Sequence, residues 1–384
     1  MQKFLRLSWY AFLTALVAVG IAACGGNDSL PPKVNISKVY VMGDSLADVG
    51  TFGGVKFTIQ DLVKPSNSLI WPQLIANHFG LDGGAQCNFY TFTGTYVPNP
   101  AAGCTNYAIG GGRIRVKDAA LGAPDPLTGV APNPQTVGTQ MATRALAGDY
   151  NANDLVLIVA GGNDAADLTT AILQAGADPS KVADLQTFLT QQLTLLQTGT
   201  LLGADPSGAA AGNAYMTALA NTFFNDVKTR VLDKKATHVA ILNMPDITIT
   251  PLLQATLGSM PPLQASQVQA LVRTWISTFN MQLKTNIAND SRIALVDFYT
   301  DFQDEVSKPA DYGLADATTP VCTVVKSVDL GNFPCFSTDL DALPGKTPGW
   351  WKAHAFSDGF HPTPFGHSLL AASVSRALAR AGWL

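Results

Sequence analysis

Residues 38–46 read Lys38-Val39-Tyr40-Val41-Met42-Gly43-Asp44-Ser45-Leu46. A short β-branched run that stops at a glycine reads as a buried strand entering a tight turn. Three more runs share this character: Leu155-Val156-Leu157-Ile158-Val159, His238-Val239-Ala240-Ile241-Leu242 and Arg292-Ile293-Ala294-Leu295-Val296. Helical patterns lie among them, over 71–79, 182–197, 210–232, 265–287 and 364–381. In the fourth of these, Val268, Leu271, Val272, Trp275, Ile276, Phe279 and Leu283 share one face, which reads as core and not as a ligand box. Strands alternating with helices predict an α/β fold whose central parallel sheet is covered on both faces. Two stretches rich in Gly, Pro and Asp, 113–134 and 321–348, are expected as long surface loops; loops of that length often serve function, so the first is expected to border a cleft.

The chain has 384 residues, of which 47% are hydrophobic and 14% charged. That composition buries enough apolar surface to offset the entropy of ordering, so disorder is excluded. The 34 Gly and 23 Pro are scattered without a period, which excludes collagen. The net charge is −4 and no block of five basic residues occurs, so the electrostatic footprint of a nucleic-acid binder is absent.

Lys3 and Arg6 precede an apolar run from Leu7 to Ala23. A charged start, a short apolar stretch and small residues at its end read as a secretory signal over residues 1–23 and not as a membrane span. Ile21-Ala22-Ala23-Cys24 resembles the lipobox of bacterial lipoproteins, with Cys24 as the lipidated thiol. Gly25 after the cysteine implies, by the same resemblance, export to the outer membrane, and residues 24–36 have the composition of a flexible tether. Cleavage before Cys24 would leave 22 basic against 28 acidic residues, a net charge of −6. Residues 37–384 are expected to form one domain.

Setting Cys24 aside leaves four cysteines. An even number in an exported protein points to two disulfides. Of the three connectivities, Cys87–Cys104 with Cys322–Cys335 closes two short local loops. A zinc site is disfavoured because no CxxC pair exists.

Ser45 stands where an open parallel sheet presents ligands, beyond a strand's carboxyl end. It reads equally as a nucleophile and as a helix N-cap. The GxSxG elbow is not matched, since Ala47 occupies its last position. A nucleophilic serine needs a base, and the five histidines divide unevenly. His78 and His238 sit in apolar elements and read as structural, whereas His354, His361 and His367 cluster near the C-terminus. In Ser357-Asp358-Gly359-Phe360-His361-Pro362-Thr363, Asp358 is spaced to curl back onto the imidazole of His361 and set its tautomer. His367 is expected to pack inside the last helix. A metal site from His354, Asp358, His361 and His367 matches no defensible ligand pattern.

An acyl-transfer serine also needs donors for an oxyanion. Asn106-Tyr107-Ala108-Ile109-Gly110-Gly111-Gly112 and Ala160-Gly161-Gly162-Asn163-Asp164 each offer them, although the second also reads as a plain turn. Trp350 and Trp351 are open between lining an acyl pocket and packing in the core.

Taken together, Gly43-Asp44-Ser45-Leu46, Asn106–Gly111, Gly161–Asp164 and Asp358–His361 resemble, in order, the GDSL, NxAxxG, GxND and DxxH blocks of the SGNH (GDSL-type) hydrolase superfamily. Asn243–Pro251 and Pro309–Gly313 are similar to segments of its larger bacterial esterases. The resemblance implies a flavodoxin-like three-layer α/β/α sandwich and a serine ester hydrolase. Ser45 would be the nucleophile, His361 the base and Asp358 its partner. Ser45 N–H, Gly111 N–H and the Asn163 side chain would form the oxyanion hole, with Gly110 as the alternative to Gly111. No metal or other cofactor is implied. The expected partner is a small-molecule, lipid or polymeric ester, met by a lipid-anchored monomer. An acyltransferase on the same site and a non-catalytic binding module of the same fold are the alternatives.

Overall fold

A computed structural model describes residues 34–384 except 82, 102, 115–133, 325 and 327–329. The expected signal, Cys24 and most of the tether therefore lie outside the described residues, as does nearly all of the loop 113–134. The unit Asn35–Leu384 contains eight strands among the described residues. They are β1 (Lys38–Met42), β2 (Ile59–Gln60), β3 (Tyr90–Phe92), β4 (Tyr96–Pro98), β5 (Asp154–Ile158), β6 (His238–Leu242), β7 (Ile293–Val296) and β8 (Cys335–Phe336). The helices are α1 (Trp71–His78), α2 (Val137–Leu146), α3 (Gly162–Ala177), α4 (Val182–Leu189), α5 (Leu195–Ala204), α6 (Ala209–Val227), α7 (Pro251–Gly258), α8 (Pro262–Ile287), α9 (Phe298–Ser307), α10 (Ser337–Asp341) and α11 (Pro364–Arg380).

The central sheet is parallel, in the order β1-β5-β6-β7. Its free edge at β1 is covered by the segment around Asn106: Val41 N–H donates to Thr105 O at 3.0 Å, and Tyr107 N–H to Val41 O at 2.7 Å. That segment pairs with β1 in parallel, giving the flavodoxin-like spatial order in which the chain steps to one side of β1 and then to the other. The reversal puts the carboxyl end of β1, and so Ser45, at the crevice where such sheets bind ligands.

Side chains alternate across the sheet. Met42, Val156, Ile158, Val239 and Ile241 join the main core with Met141 of α2, Phe223 of α6 and Trp275 and Phe279 of α8. Val39, Val41, Leu155 and Leu157 are buried facing the other way, where α1 packs on α11 and α11 touches β6 and β7. The result is a three-layer α/β/α sandwich, and all four expected strands are present within one residue of their predicted ends.

The helices depart from expectation in specific places. The pattern over 182–197 divides into α4 and α5, because Thr194 opens a new helix with a capping box: its Oγ1 accepts from Gln197 N–H, while the Gln197 side chain accepts from Thr194 N–H. The pattern over 210–232 is α6 followed by a π-helical turn, Lys228–Leu232. Helices α2, α3, α7, α9 and α10 were not anticipated. The segment 321–348 is not only loop, since it holds β8 and α10; β8 pairs in parallel with β2. Both expected disulfides are present, Cys87–Cys104 and Cys322–Cys335.

Helices α6 and α8 approach closely because Gly212 leaves room for the Trp275 ring; a Cβ there would meet that indole at 2.4 Å. Gly212→Ala should therefore destabilise the protein by about 1–3 kcal/mol through overpacking. Gly199→Ala, in exposed α5 with nothing near a new Cβ, should instead stabilise it by about 1 kcal/mol. Chemical denaturation of both variants checks the opposite signs.

Candidate active site

The turn after β1 is shaped by close approach. A Cβ on Gly43 would lie 2.6 Å from Val159 Cγ1 and 2.9 Å from its carbonyl oxygen, so only glycine lets the chain leave the sheet here. Its backbone is held from both sides by the fully buried Gln140 of α2. Gly43 N–H donates to Gln140 Oε1 at 2.7 Å, and Gln140 Nε2 donates to Gly43 O at 2.9 Å. The next two residues are buried. Asp44 Oδ1 accepts from Leu46 N–H at 3.0 Å, and burial pushes its carboxyl up to about 6. Ser45 is left with its hydroxyl facing the cleft.

Across 316 residues of sequence, His361 Nε2 lies 2.8 Å from Ser45 Oγ. His361 Nδ1 lies 2.9 Å from Asp358 Oδ2, and Asp358 Oδ1 also accepts from the backbone N–H groups of Phe360 and His361 at 2.8 and 2.7 Å. Burial alone would raise the Asp358 carboxyl. The adjacent imidazole and these donors outweigh it and hold the carboxyl below its ordinary range. An ionised Asp358 only accepts, so Nδ1 carries the proton and Nε2 is the acceptor for the serine hydroxyl. Phe57 and Phe333 flank the imidazole, with ring centroids 5.2 and 5.4 Å away.

The glycine-rich turn is held as tightly as the serine turn. Side-chain donors reach three consecutive carbonyls: Gln135 to Gly110 O at 3.0 Å, Arg113 to Gly111 O at 2.6 Å and Asn163 Nδ2 to Gly112 O at 2.9 Å. Gly111 adopts φ +75°, a left-handed conformation open to glycine at no steric cost. Arg113 is in turn fixed by Asp167, with Nε and Nη2 at 2.5 and 2.9 Å from the carboxylate. Gly110 N–H donates to Asp48 Oδ2 at 2.8 Å. Ser45 N–H and Gly111 N–H have no acceptor among the described residues. Of the two glycines weighed as donors, Gly110 is therefore committed and Gly111 available. Asn163 stands in the first turn of α3, so the positive end of that helix dipole also faces the site.

Asp48 joins the two turns. Its Oδ1 accepts from Gly50 and Thr51 N–H, both at 2.8 Å, while Oδ2 takes Gly110. Burial raises this carboxyl to about 6, with the same three backbone donors opposing the rise. Asn106 joins them again: its Nδ2 donates to Ala47 O at 2.8 Å and its Oδ1 accepts from Ala108 N–H at 3.0 Å. Gln140, Asp48, Arg113 and Gln135 carry no motif, and only the fold reveals what they do.

The remaining candidates fall elsewhere. Trp351 is buried, Trp350 packs beside it, and their indole N–H groups reach Asp341 Oδ1 and Leu340 O at 2.9 and 3.0 Å; packing is their role, and neither lines the cleft. His78 is exposed, which corrects its reading as a structural residue of an apolar helix, while His238 meets Trp383 edge to face. His354 is near Thr319 O. His367 is fully buried and neither ring nitrogen has a partner among the described residues; burial depresses its basicity to about 3. Among the described residues no three His, Cys, Asp or Glu side chains group as metal ligands, and no helix is long and apolar enough to cross a membrane.

The site opens into a cleft of about 740 Å³. A hydroxyl paired with an oriented imidazole, beside unoccupied backbone donors, is an arrangement suited to nucleophilic attack on a carbonyl.

A family model described as GDSL-like Lipase/Acylhydrolase matches residues 39–374. No curated protein matches the sequence. Among solved structures, the extracellular lipase from Streptomyces rimosus is 16% identical, with 89% of this chain and 100% of that chain covered and a TM-score of 0.38. The phospholipase A1 from Streptomyces albidoflavus NA297 is 15% identical, with 89% and 99% covered and a TM-score of 0.38.

Two stability predictions follow from this geometry. Gln140→Leu strands the Gly43 N–H and takes away one of the two donors to its carbonyl, which Ile109 N–H still reaches, and should lower the unfolding free energy by about 1–3 kcal/mol in denaturant titration. For His367, the unfolded chain takes up a proton as the pH falls through about 6.5, the folded chain only near 3. Stability should thus fall with pH over that window by roughly 1.4 kcal/mol per unit. Asp44 and Asp48 act in the opposite sense between about 6 and 3.8, so the comparison must be with a variant. His367→Leu should be more acid-stable than the parent by a margin that grows from pH 6 to pH 4, as denaturation at several pH values would show.

Proposed function

The chain belongs to the GDSL-like lipase/acylhydrolase family, and on that premise we propose a carboxylic-ester hydrolase that works through an acyl-Ser45 intermediate. The observation that carries the reading is the relay Asp358–His361–Ser45, at 2.9 and 2.8 Å, beside backbone donors that have no other acceptor among the described residues. His361 Nε2 takes the Ser45 proton as Oγ attacks the ester carbonyl. The oxyanion is received by Ser45 N–H, Gly111 N–H and the second amide hydrogen of Asn163. Protonated His361 then gives its proton to the leaving alcohol, and the C–O bond breaks. Water attacks the acyl-serine with His361 again as base, releasing the acid and restoring the Ser45 hydroxyl. Asp358 stays ionised throughout and stabilises the imidazolium.

In this reading the chain is exported and tethered by a lipid on Cys24, which brings it to ester substrates at a membrane surface. Palmitate labelling that persists in Cys24→Ala would refute the tether.

Ser45→Ala should abolish p-nitrophenyl ester turnover and fluorophosphonate labelling together. Asp358→Asn should lower kcat by on the order of 10⁴, because the imidazole loses the correct tautomer. Asn163→Ala should lower it by about 10²–10³, as loss of one oxyanion donor does. Activity should be unchanged in EDTA. Full turnover by Ser45→Ala would overturn the proposal.

A further inference from the structure

The cleft beside Ser45 has one wall of unusual composition. Phe52, Phe57, Phe92 and Tyr96 all line it. Phe52 sits at the centre of the group, with ring centroids 6.1 Å from Phe57, 5.5 Å from Phe92 and 6.2 Å from Tyr96, and Phe92 lies 5.0 Å from Tyr96. The interplanar angles run from 51° to 89°, so the rings meet edge to face or tilted and some faces and edges are left toward the cleft. Phe92 is 39% exposed despite two ring neighbours, which leaves it apolar surface for a ligand to cover.

Phe92 and Tyr96 belong to the hairpin β3–β4, whose strands have three residues each. So short a hairpin is marginal alone, yet this one is fastened at several points. Cys87–Cys104 joins its flanks, Phe92 N–H donates to Thr51 O at 2.9 Å and Tyr90 Oη donates to Thr143 Oγ1 at 2.8 Å. Phe89 N–H donates to Asn106 O, and the Asn106 side chain also holds Ala47 beside Ser45. The aromatic wall is therefore rigidly registered to the serine turn. Phe57 completes it, tilted against the His361 ring and lying so close to Gly110 that a Cβ there would meet its ring at 2.3 Å. Among the described residues no Lys or Arg lines the cleft, so none of them offers a fixed cationic partner to an anionic ester.

We propose that this wall is a subsite for an aromatic ring carried by an uncharged ester, and that Phe92 and Tyr96 set the preference for a planar ring over a saturated one. The inference rests on the ester-hydrolase reading above. Edge-to-face contacts add attraction beyond area burial that a saturated ring of the same size does not receive, amounting to about tenfold for two or three good contacts. The ring can come from the acyl or the alcohol side of the ester, and two substrate pairs separate these sources.

The test compares kcat/KM for methyl 3-phenylpropanoate with methyl 3-cyclohexylpropanoate, and for 2-phenylethyl acetate with 2-cyclohexylethyl acetate. In each pair the ring is remote from the carbonyl, so intrinsic reactivity is matched. We expect a phenyl preference of about tenfold in one pair; the pair that shows it identifies the side. In Phe92→Leu and Tyr96→Leu that ratio should fall toward one. Because the ratio is internal to each variant, a general loss of activity does not affect it, and fluorophosphonate labelling reports an intact site. A ratio near one or below in both pairs for the parent protein overturns the subsite, as does a preference that survives both substitutions. Failure of the underlying reading is distinct: no ester would be turned over, and the parent would not be labelled.

Discussion

Gly43 sustains the whole arrangement. A parallel strand ends inside the molecule here, and its last backbone groups must be satisfied without water. The bulk of Val159 excludes any side chain at this position, and the amide of Gln140 supplies the missing donor and acceptor together. With that peptide fixed, Ser45 leaves the sheet in one direction only. The same carbonyl also accepts from Ile109 N–H at 3.1 Å, so the glycine-rich turn takes its position from the peptide that sets the serine.

Around this point the protein spends buried polar groups freely. Asp44, Asp48, Asn106, Gln140 and Asp164 are all buried, and each of them accepts from backbone N–H groups of the turns that border the cleft. Burial by itself would favour protonation of Asp44 and Asp48, and backbone donors counter that tendency. Such a network is costly when incomplete and rigid when complete. Here it serves to hold two loops from distant parts of the chain at hydrogen-bond precision. His367 is the exception, a buried imidazole without a hydrogen-bond partner among the described residues, and its cost grows in acid.

The two disulfides act at the periphery in comparable ways. Cys87–Cys104 fastens the aromatic hairpin, and Cys322–Cys335 fastens the segment that brings Phe333 against His361. Each lies in a part of the chain with little regular structure of its own. Cross-linking such segments lets them present rings to the site without a large core beneath them.

Much of this was legible in the sequence, for a physical reason. Buried strands announce themselves by composition, so β1, β5, β6 and β7 and the parallel sheet could be read directly, as could Ser45, Asp358 and His361 in their blocks. Local loops made the two cystine pairings readable too. Helices α2, α3, α7, α9 and α10 were not anticipated: α7 and α10 have eight and five residues, α3 begins within the Gly161–Asp164 stretch that also reads as a turn, and the break at Thr194 depended on a capping box within an otherwise continuous pattern. Gln140, Asp48, Arg113 and Gln135 bond to backbone, which no side-chain pattern reports, and the two tryptophans were ambiguous until packing placed Trp351 in a core and Trp350 against it. The choice between Gly110 and Gly111 shows the division most plainly. By itself the sequence determined which residue types stand at the ends of which strands, because burial and turn geometry constrain composition locally. Only the tertiary structure decided which N–H is left open beside Ser45, because that depends on Asp48 reaching Gly110 across a gap that local sequence does not encode.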